Sequence, residues 1–135
     1  IIYLMEILDM KIRNGFVTNS SSTNFIIISN QELSRDFLSK QLNPLKDKRF
    51  ENEINELCDA ILYNKELIND ADIDSLQNEY GGEIKKIYNK MKKKNCFIYT
   101  GELTTEETSF EAYMACSPFE YKTKELYING LSSTY

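Results

Sequence analysis

The chain has 135 residues, of which 41% are hydrophobic and 27% are charged, and its formal net charge is −5. This length and composition are typical of one soluble globular domain that buries its own core. The acidic balance, with a pI near 4.8, argues against general binding to nucleic acid, which requires cations that contact phosphates. No apolar run reaches the length of about 18 residues that a membrane-spanning helix needs, so no membrane partner is expected.

Histidine is absent from the sequence, which removes His-dependent catalytic triads, His general bases and His metal ligands. The cysteines Cys58, Cys96 and Cys116 are widely spaced and form no Cys-x-x-Cys motif. Neither a zinc site nor a disulfide framework is therefore indicated. We expect free thiols in the reducing cytoplasm of a bacterial cell, and no metal or cofactor.

The N-terminal region combines a candidate start with a polar run between two apolar segments. Met10 and the basic residues after it are typical of a bacterial start, so residues 1–9 are interpreted as an upstream extension, an alternative start or a truncated leader. Between Ile12 and Phe25 the chain is rich in Asn, Ser and Thr, whose side chains favour turns by bonding to nearby backbone groups. A hairpin or a wide β-arch is predicted over residues 11–28.

Two apolar patterns with helical spacing follow this region. Ser29 and Glu32 have the spacing of a capping box, and Pro44 ends the first pattern. This pattern predicts a helix over residues 30–42. The second pattern predicts an amphipathic helix over residues 50–62, with acidic side chains on its outer face.

The helical period returns after a connector over residues 64–72 and continues over residues 73–91. Gly81 and Gly82 interrupt it, at a cost of about 1 kcal/mol each relative to Ala inside a helix. Both one kinked helix and two short helices fit this pattern.

The last third of the chain predicts strands around one short helix. The elements are a strand over 96–100, a helix that begins near Thr104 and ends at Pro118, a strand over 121–128, a turn at Asn129-Gly130 and a loose tail over 131–135. Strands at both ends with helices between them predict a single α+β domain over residues 1–135. Its small, mostly antiparallel sheet would carry three to four helices on one face.

The stretch Met10-Lys11-Ile12-Arg13-Asn14-Gly15-Phe16-Val17-Thr18-Asn19-Ser20-Ser21-Ser22-Thr23-Asn24-Phe25-Ile26-Ile27 resembles the N-terminal signature of a group of uncharacterised bacterial and phage proteins. In that group a basic residue precedes Gly-Phe-Val-Ser-Asn and a serine run that ends in Phe. This chain departs from the pattern at Thr18 and at Thr23-Asn24. The resemblance implies a bacterial or phage origin, a start at Met10 and a sorting or recognition role for the peptide, and it carries over no catalytic residue.

The polar run itself is a candidate interaction segment. A phosphate-binding loop is disfavoured, because such loops carry several glycines and a Lys, whereas this run has a single glycine and no lysine. A specific turn between two strands and a peptide recognised by a partner remain as alternatives. The residues assigned to the segment are Asn14, Gly15, Phe16, Asn19, Ser20, Ser21 and Ser22.

Acidic residues form the second candidate interaction surface. They are Glu51, Glu56 and Asp59 on the predicted helix 50–62, and Glu102, Glu106 and Glu107 near the end of the predicted strand 96–100. For the cluster of Glu102, Glu106, Glu107 and Glu111, acid–base catalysis by two of the carboxylates is the alternative, although no His, Arg or metal motif sets their protonation.

Two further clusters have simpler structural explanations. Asp70, Asp72 and Asp74 are spaced as in a calcium loop, but Ser75 and Gly81 occupy positions that need Gly and Glu, so helix capping is favoured. Positive charge is concentrated in one segment, at Lys85, Lys86, Lys90, Lys92, Lys93 and Lys94. Cations near a helix C-terminus interact favourably with its dipole, and the alternative is a patch that binds RNA or an acidic partner.

These observations favour a non-enzymatic protein that binds a host or phage protein, for example a phage or mobile-element accessory protein that inhibits a nucleic-acid-binding defence enzyme through acidic surfaces. A minor virion or particle component, with the polar run as a docking or packaging tag, is the alternative. An enzyme that uses carboxylates or a thiol is the third hypothesis.

Overall fold

The computed structural model describes residues 11–12, 22–93, 95–104 and 119–132. These residues form six strands and four α-helices. In chain order they are β1 (Lys11–Ile12), β2 (Ser22–Ser29), α1 (Arg35–Leu42), α2 (Glu51–Asn64), β3 (Glu66–Ile68), α3 (Ile73–Tyr80), α4 (Ile84–Met91), β4 (Phe97–Thr104), β5 (Phe119–Lys122) and β6 (Leu126–Ser132). The strands form one sheet in the order β1-β5-β6-β2-β4-β3, and every neighbouring pair is antiparallel. The predicted α+β class and antiparallel sheet are confirmed.

Strand β2 lies in the middle of the sheet and is buried on both faces. Phe25 and Ile27 belong to one apolar cluster, while Ile26 and Ile28 belong to a second cluster on the opposite face. Alternate residues of a strand point to opposite faces, so an uninterrupted apolar run requires cover on both sides. The expectation that all helices lie on one face is therefore corrected: α1 and α2 cover one face, and α3 and α4 cover the other.

Helix α1 begins five residues later than predicted and ends at Leu42 as predicted. Its N-cap is Ser34, whose hydroxyl accepts a hydrogen bond from the Phe37 N–H at 3.2 Å. The predicted cap, Ser29, is instead the buried last residue of β2. A serine hydroxyl satisfies backbone groups equally well in a turn and at a helix start, so the spacing of Ser and Glu alone did not locate the helix.

A row of alternating phenylalanine and glycine crosses the α1/α2 face of the sheet. Phe119 pairs with Gly130, and Gly130 and Gly101 flank Phe25 on its two sides. A Cβ atom at Gly130 would overlap the Phe119 ring, with Cδ1 at 2.6 Å, and one at Gly101 would overlap the ring of Phe25. The predicted turn at Asn129-Gly130 is wrong, because Gly130 makes room for an aromatic ring inside β6.

Helices α3 and α4 meet at the pair of glycines. Gly81 and Gly82 both have positive φ, at 71° and 68°, which is accessible to glycine without steric cost. The chain therefore forms two short helices, one of the two predicted alternatives. Asp72 caps α3 by accepting a hydrogen bond from the Ser75 N–H at 3.3 Å, so the favoured capping interpretation of the aspartate cluster is confirmed at this residue.

Three other expectations about the strands are corrected. Of the two alternatives for residues 11–28, the hairpin is excluded because β5 and β6 lie between β1 and β2 in the sheet, and the residues that would form a wide β-arch lie outside the described part of the chain. The predicted connector 64–72 contains the edge strand β3. The predicted strand 121–128 is a hairpin of two strands, β5 and β6, and β6 extends into the predicted tail.

The remaining predictions lie outside the described residues. They are the upstream extension 1–9, most of the polar run, the helix between Thr104 and Pro118, and residues 133–135 of the tail.

Candidate functional site

The residues predicted to mediate interactions are placed as follows. Asn14, Gly15, Phe16, Asn19, Ser20, Ser21, Glu106 and Glu107 lie outside the described residues. Ser22 is the first residue of β2 and pairs with Thr104 of β4. Glu51, Glu56 and Asp59 are exposed on α2, and Glu102 is exposed on β4.

Helix α2 has an outer face that we call the acidic helix face, formed by Asn52, Glu56, Asp59 and Tyr63. These residues are spaced three or four positions apart, which places them in one line along a helix. All four are exposed, and Tyr63 leaves 84% of its surface open to solvent. The opposite side of the same helix is buried in the core, with Ile54, Leu57, Cys58 and Ile61. The helix thus presents two carboxylates and an aromatic ring outward.

One member of the acidic helix face has a charged partner. The Arg35 guanidinium of α1 lies 3.3 Å from an Asp59 carboxylate oxygen, and both side chains are more than half exposed. Such exposed pairs contribute little to stability. Within the described part of the chain, no cation lies within salt-bridge distance of Glu51 or Glu56.

The structure does not bring Glu102 together with the acidic helix face. Glu102 pairs with Asn24 and alternates with Leu103 along β4, and Leu103 belongs to the cluster under α1 and α2. Because neighbouring residues of a strand point to opposite faces, Glu102 is on the α3/α4 side of the sheet. Glu102 and the acidic helix face therefore point in different directions.

The predicted basic segment divides into two parts. Lys85 lies 2.7 Å from an Asp74 oxygen, and Lys86 lies 3.4 Å from a Glu83 oxygen. The Lys92 ammonium is 5.9 Å from the centre of the Tyr88 ring, at the range of a cation–π contact. Lys90, Lys92 and Lys93 have no carboxylate within 4.0 Å among the described residues, and Lys94 lies outside them.

Lys90 borders a cavity of about 560 Å³ between the C-terminal end of α4 and the β5–β6 turn. We call this cavity the lysine groove. Its lining combines three lysines with polar and apolar side chains, and consists of Asn30, Ile87, Lys90, Met91, Lys122, Thr123 and Lys124. Sequence reasoning identified Lys90 but missed Lys122 and Lys124, whose only sequence signal is a pair of cations around a threonine.

The turn that carries two of these lysines is held by Thr123. Its hydroxyl accepts hydrogen bonds from the backbone N–H groups of Glu125 at 3.2 Å and of Leu126 at 3.1 Å, and donates to the Gln41 side chain. Gln41 also donates to the Glu125 carboxylate at 2.8 Å. The turn is therefore attached to the end of α1 as well as closed within itself.

A buried polar cluster lies beside the groove, under the loop between α3 and α4. The Tyr127 hydroxyl donates to the Glu120 carboxylate and accepts from the Glu83 backbone N–H at 3.1 Å and from the Asn129 amide at 2.9 Å. The Asn129 amide also donates to the Gly81 carbonyl at 3.2 Å. Burial, and then the Glu120 carboxylate, raise the pKa of Tyr127 above its usual value.

This cluster joins the groove through Glu83. One carboxylate oxygen of Glu83 lies 3.0 Å from the Lys122 ammonium, and Lys122 and Lys86 together hold the pKa of Glu83 below its usual value. The Tyr127 cluster thus fixes the backbone of Glu83, and Glu83 in turn contacts a lysine of the groove. Sequence patterns gave no sign of this arrangement, because its members come from three separate segments.

The described thiols do not have the properties of nucleophiles. Burial raises the pKa of Cys58 to about 12, and burial also raises the pKa of Cys96. Reactive cysteines have a lowered pKa, because the thiolate is the nucleophile. These values give no support to thiol chemistry at either position, and Cys116 lies outside the described residues.

Comparison with protein-family models, with curated proteins and with solved structures finds no match to this chain. Among the described residues, no group of His, Cys, Asp and Glu side chains is arranged to hold a metal ion. In the same part of the chain, no helix has the length and apolar character needed to cross a membrane.

Proposed function

We propose that this chain is a binding protein that contacts a basic surface of another protein through the acidic helix face. The observation that carries this proposal is Tyr63, which is 84% exposed on the same line as Glu56 and Asp59. Tyrosine is enriched at protein–protein interfaces, where its ring supplies contact area and its hydroxyl supplies a hydrogen bond. A ring placed in the open beside two carboxylates supports a binding surface.

The charges around this ring support a basic partner. Within the described chain Glu56 has no cation at salt-bridge distance, and the Arg35 contact of Asp59 is exposed and contributes little to stability. Complementary charge accelerates encounter with a partner and disfavours partners of like charge. The buried side of α2 remains in the core, so the helix is available for binding without local unfolding.

The finer form of the proposal concerns origin and partner. The resemblance of residues 10–27 to bacterial and phage proteins supports a phage or mobile-element accessory protein that acts in the bacterial cytoplasm. Its partner would be a host defence enzyme that binds nucleic acid, because such enzymes present cationic surfaces. A line of carboxylates on a helix would occupy the positions that phosphates otherwise take.

The test compares two variants that remove the same charge from different surfaces. E56Q/D59N removes two carboxylates from the acidic helix face, and E66Q/D70N removes two exposed carboxylates elsewhere. Each protein is used at low salt to recover binding proteins from a bacterial host lysate, and recovery is quantified by mass spectrometry. We expect E56Q/D59N to reduce the recovery of basic, nucleic-acid-binding proteins by about tenfold or more, since several charge contacts are lost.

A third variant, Tyr63→Ala, tests the contribution of the aromatic ring separately from that of the two carboxylates. Loss of an interface aromatic costs about 1–2 kcal/mol or more and acts mainly on dissociation, whereas loss of rim charges acts on association and on salt dependence. Equal recovery with E56Q/D59N and E66Q/D70N, or recovery of acidic proteins only, would refute the proposal.

A further inference from the structure

We propose that the lysine groove is a binding site for a small phosphate-bearing molecule with an apolar or aromatic part, of the nucleoside monophosphate class. The groove lies on the α3/α4 side of the sheet, whereas the acidic helix face lies on the α1/α2 side. The two sites are therefore independent, and either can fail without affecting the other.

The size of the groove fits a small molecule. Ligand pockets usually enclose about 300–1,000 Å³ and combine an apolar lining with a few polar groups that orient the ligand. The groove encloses about 560 Å³, and Ile87 and Met91 supply its apolar wall. Asn30 also lines the groove, and its backbone N–H is bonded to the Glu125 carbonyl at 3.1 Å, which ties it to the β5–β6 turn.

The lysines of the groove are not explained by helix stability alone. Lys90 is in the last turn of α4, where a cation offsets the helix dipole. Lys122 ends β5 and Lys124 is in the turn after it, so neither belongs to a helix. These three cations come from two separate segments of the chain and converge on one cavity in a protein whose net charge is −5.

Two of the three cations are available to an anion. Among the described residues, no carboxylate lies within 4.0 Å of Lys90 or Lys124, while Lys122 contacts Glu83 at 3.0 Å. A phosphate monoester carries a charge of about −1.5 to −2 at neutral pH, which two free lysines would balance. A ligand with a single carboxylate has one negative charge and would leave the charge of one of the two lysines unbalanced. The charge of the site therefore favours phosphate.

The site is also organised before any ligand binds. The hydroxyl of Thr123 closes the turn and is bonded to Gln41 of α1, so hydrogen bonds hold the backbone between Lys122 and Lys124. The Glu83 contact of Lys122 is fixed in turn by the Tyr127 hydroxyl. In a preorganised site, less conformational entropy of side chains and loops is lost on binding, so the ligand binds more tightly.

The test measures binding by isothermal titration calorimetry of the whole chain at low ionic strength. The probes are adenosine monophosphate, adenosine and inorganic phosphate. K90Q/K124Q removes the two free lysines of the groove, and K92Q/K93Q removes two exposed lysines from the same end of α4 that do not line it. Circular dichroism confirms that both variants fold.

We expect adenosine monophosphate to bind more tightly than inorganic phosphate by about fivefold or more, because only the nucleotide contacts the apolar wall. Adenosine should show no measurable binding. K90Q/K124Q should weaken nucleotide binding by about tenfold or more, and K92Q/K93Q by less than about twofold, since charge-assisted contacts act at short range.

Three results would overturn the proposal. One is equal loss of affinity in the two double variants, and another is the absence of nucleotide binding at millimolar concentration. The third comes from adding a single-stranded RNA oligonucleotide and an acidic peptide as probes. If either binds through Lys90 and Lys124 about tenfold more tightly than the nucleotide, the groove is part of a surface for that macromolecule.

Discussion

The two faces of the sheet are built by different physical means. The α1/α2 face has the larger apolar cluster, with phenylalanine rings placed over glycines in neighbouring strands, and the hydroxyls of Tyr99 and Tyr121 bond to backbone groups there. The α3/α4 face has a smaller apolar cluster and a set of buried hydrogen bonds around the hydroxyl of Tyr127. Apolar burial provides non-directional stability, whereas hydrogen bonds fix positions because they require defined distances and angles. We infer that the first face mainly stabilises the fold, whereas the groove is positioned by the hydrogen bonds around Tyr127 together with the contact between Thr123 and Gln41 of α1.

The largest expected effect is on the α1/α2 face, at Phe25. Phe25→Ala should lower the free energy of unfolding by about 3–5 kcal/mol. The value should lie near the upper end, because the neighbours of Phe25 across the sheet are Gly101 and Gly130, which have no side chains to fill the cavity. Urea denaturation followed by far-UV circular dichroism measures it. A loss below about 1.5 kcal/mol would mean that this face collapses around the cavity.

The second effect is on the α3/α4 face, at Gly82. Gly82→Ala places a side chain at φ 68°, which costs about 1–2 kcal/mol. The new Cβ would also lie 2.6 Å from the Tyr127 hydroxyl and 2.7 Å from the Asn129 amide, and overpacking costs about 1–3 kcal/mol. We expect a total loss of about 2–5 kcal/mol in the same urea measurement. An unchanged free energy of unfolding would show that the side chains around the Tyr127 hydroxyl move aside at little cost.

The third effect is a pH-dependent loss of stability at Tyr127, on the α3/α4 face. Tyr127→Phe leaves the Glu83 N–H and the Glu120 carboxylate without their buried partner, and should cost about 1–3 kcal/mol at neutral pH. The pKa of Tyr127 is raised in the folded protein, and burial, followed by the charge of Glu79, raises that of Tyr80 to about 12.

Unfolded tyrosine ionises near pH 10. The stability that the buried, neutral Tyr127 and Tyr80 contribute is therefore fully present below about pH 10, and it decreases as the pH rises toward their pKa values in the folded protein. Urea denaturation between pH 9 and pH 11.5 should show a steep loss for the wild type and a shallower one for Tyr127→Phe. Parallel curves for the two proteins would contradict the assignment of a raised pKa to Tyr127.

The smallest effects compare one helix cap from each face. Ser34→Ala removes the cap of α1 and should cost about 1 kcal/mol at every pH. Asp72→Ala removes the cap of α3, where hydrogen bonds from the Ser75 N–H and hydroxyl hold the pKa of Asp72 below its usual value. The contribution of Asp72 is present above the unfolded pKa of about 3.9 and is lost as the pH falls through the folded pKa.

Thermal denaturation at pH 7 and at pH 2.5 checks this difference. The effect of Asp72→Ala should diminish at the lower pH, and that of Ser34→Ala should remain. Asp72→Asn serves as the control, because its side-chain oxygen can still cap the helix. If both alanine variants respond equally to pH, the Asp72 carboxylate has no role in capping as an anion.

Local patterns in the sequence predicted several elements well. The apolar face of α2 and the end of α1 before Pro44 follow from periodicity and from the geometry of proline. Local patterns failed where a residue has two uses. Ser29 has the chemistry of a cap but ends a strand, and Gly130 has the chemistry of a turn but accommodates the Phe119 ring. The neighbour that decides between these uses lies in another strand or helix.

The candidate sites divide in the same way. The acidic helix face was predicted in part, because the positions of Glu56 and Asp59 follow from the period of one helix. The lysine groove was not predicted, since Lys90 and Lys124 are separated by more than 30 residues and meet only when α4 packs beside the β5–β6 turn. The periodicity of one segment does not predict contacts with a segment that is distant in the chain.

The sequence by itself determined the composition of the chain and of its elements: an acidic chain without histidine, an amphipathic α2 and an uninterrupted apolar run in β2. Only the tertiary structure decided which helices cover which face, which glycines accommodate rings and which cations share a cavity. The physical reason is the distance along the chain between the residues that interact. Propensity, capping and periodicity act between neighbours in the chain, whereas strand order and side-chain packing join residues that are far apart in it.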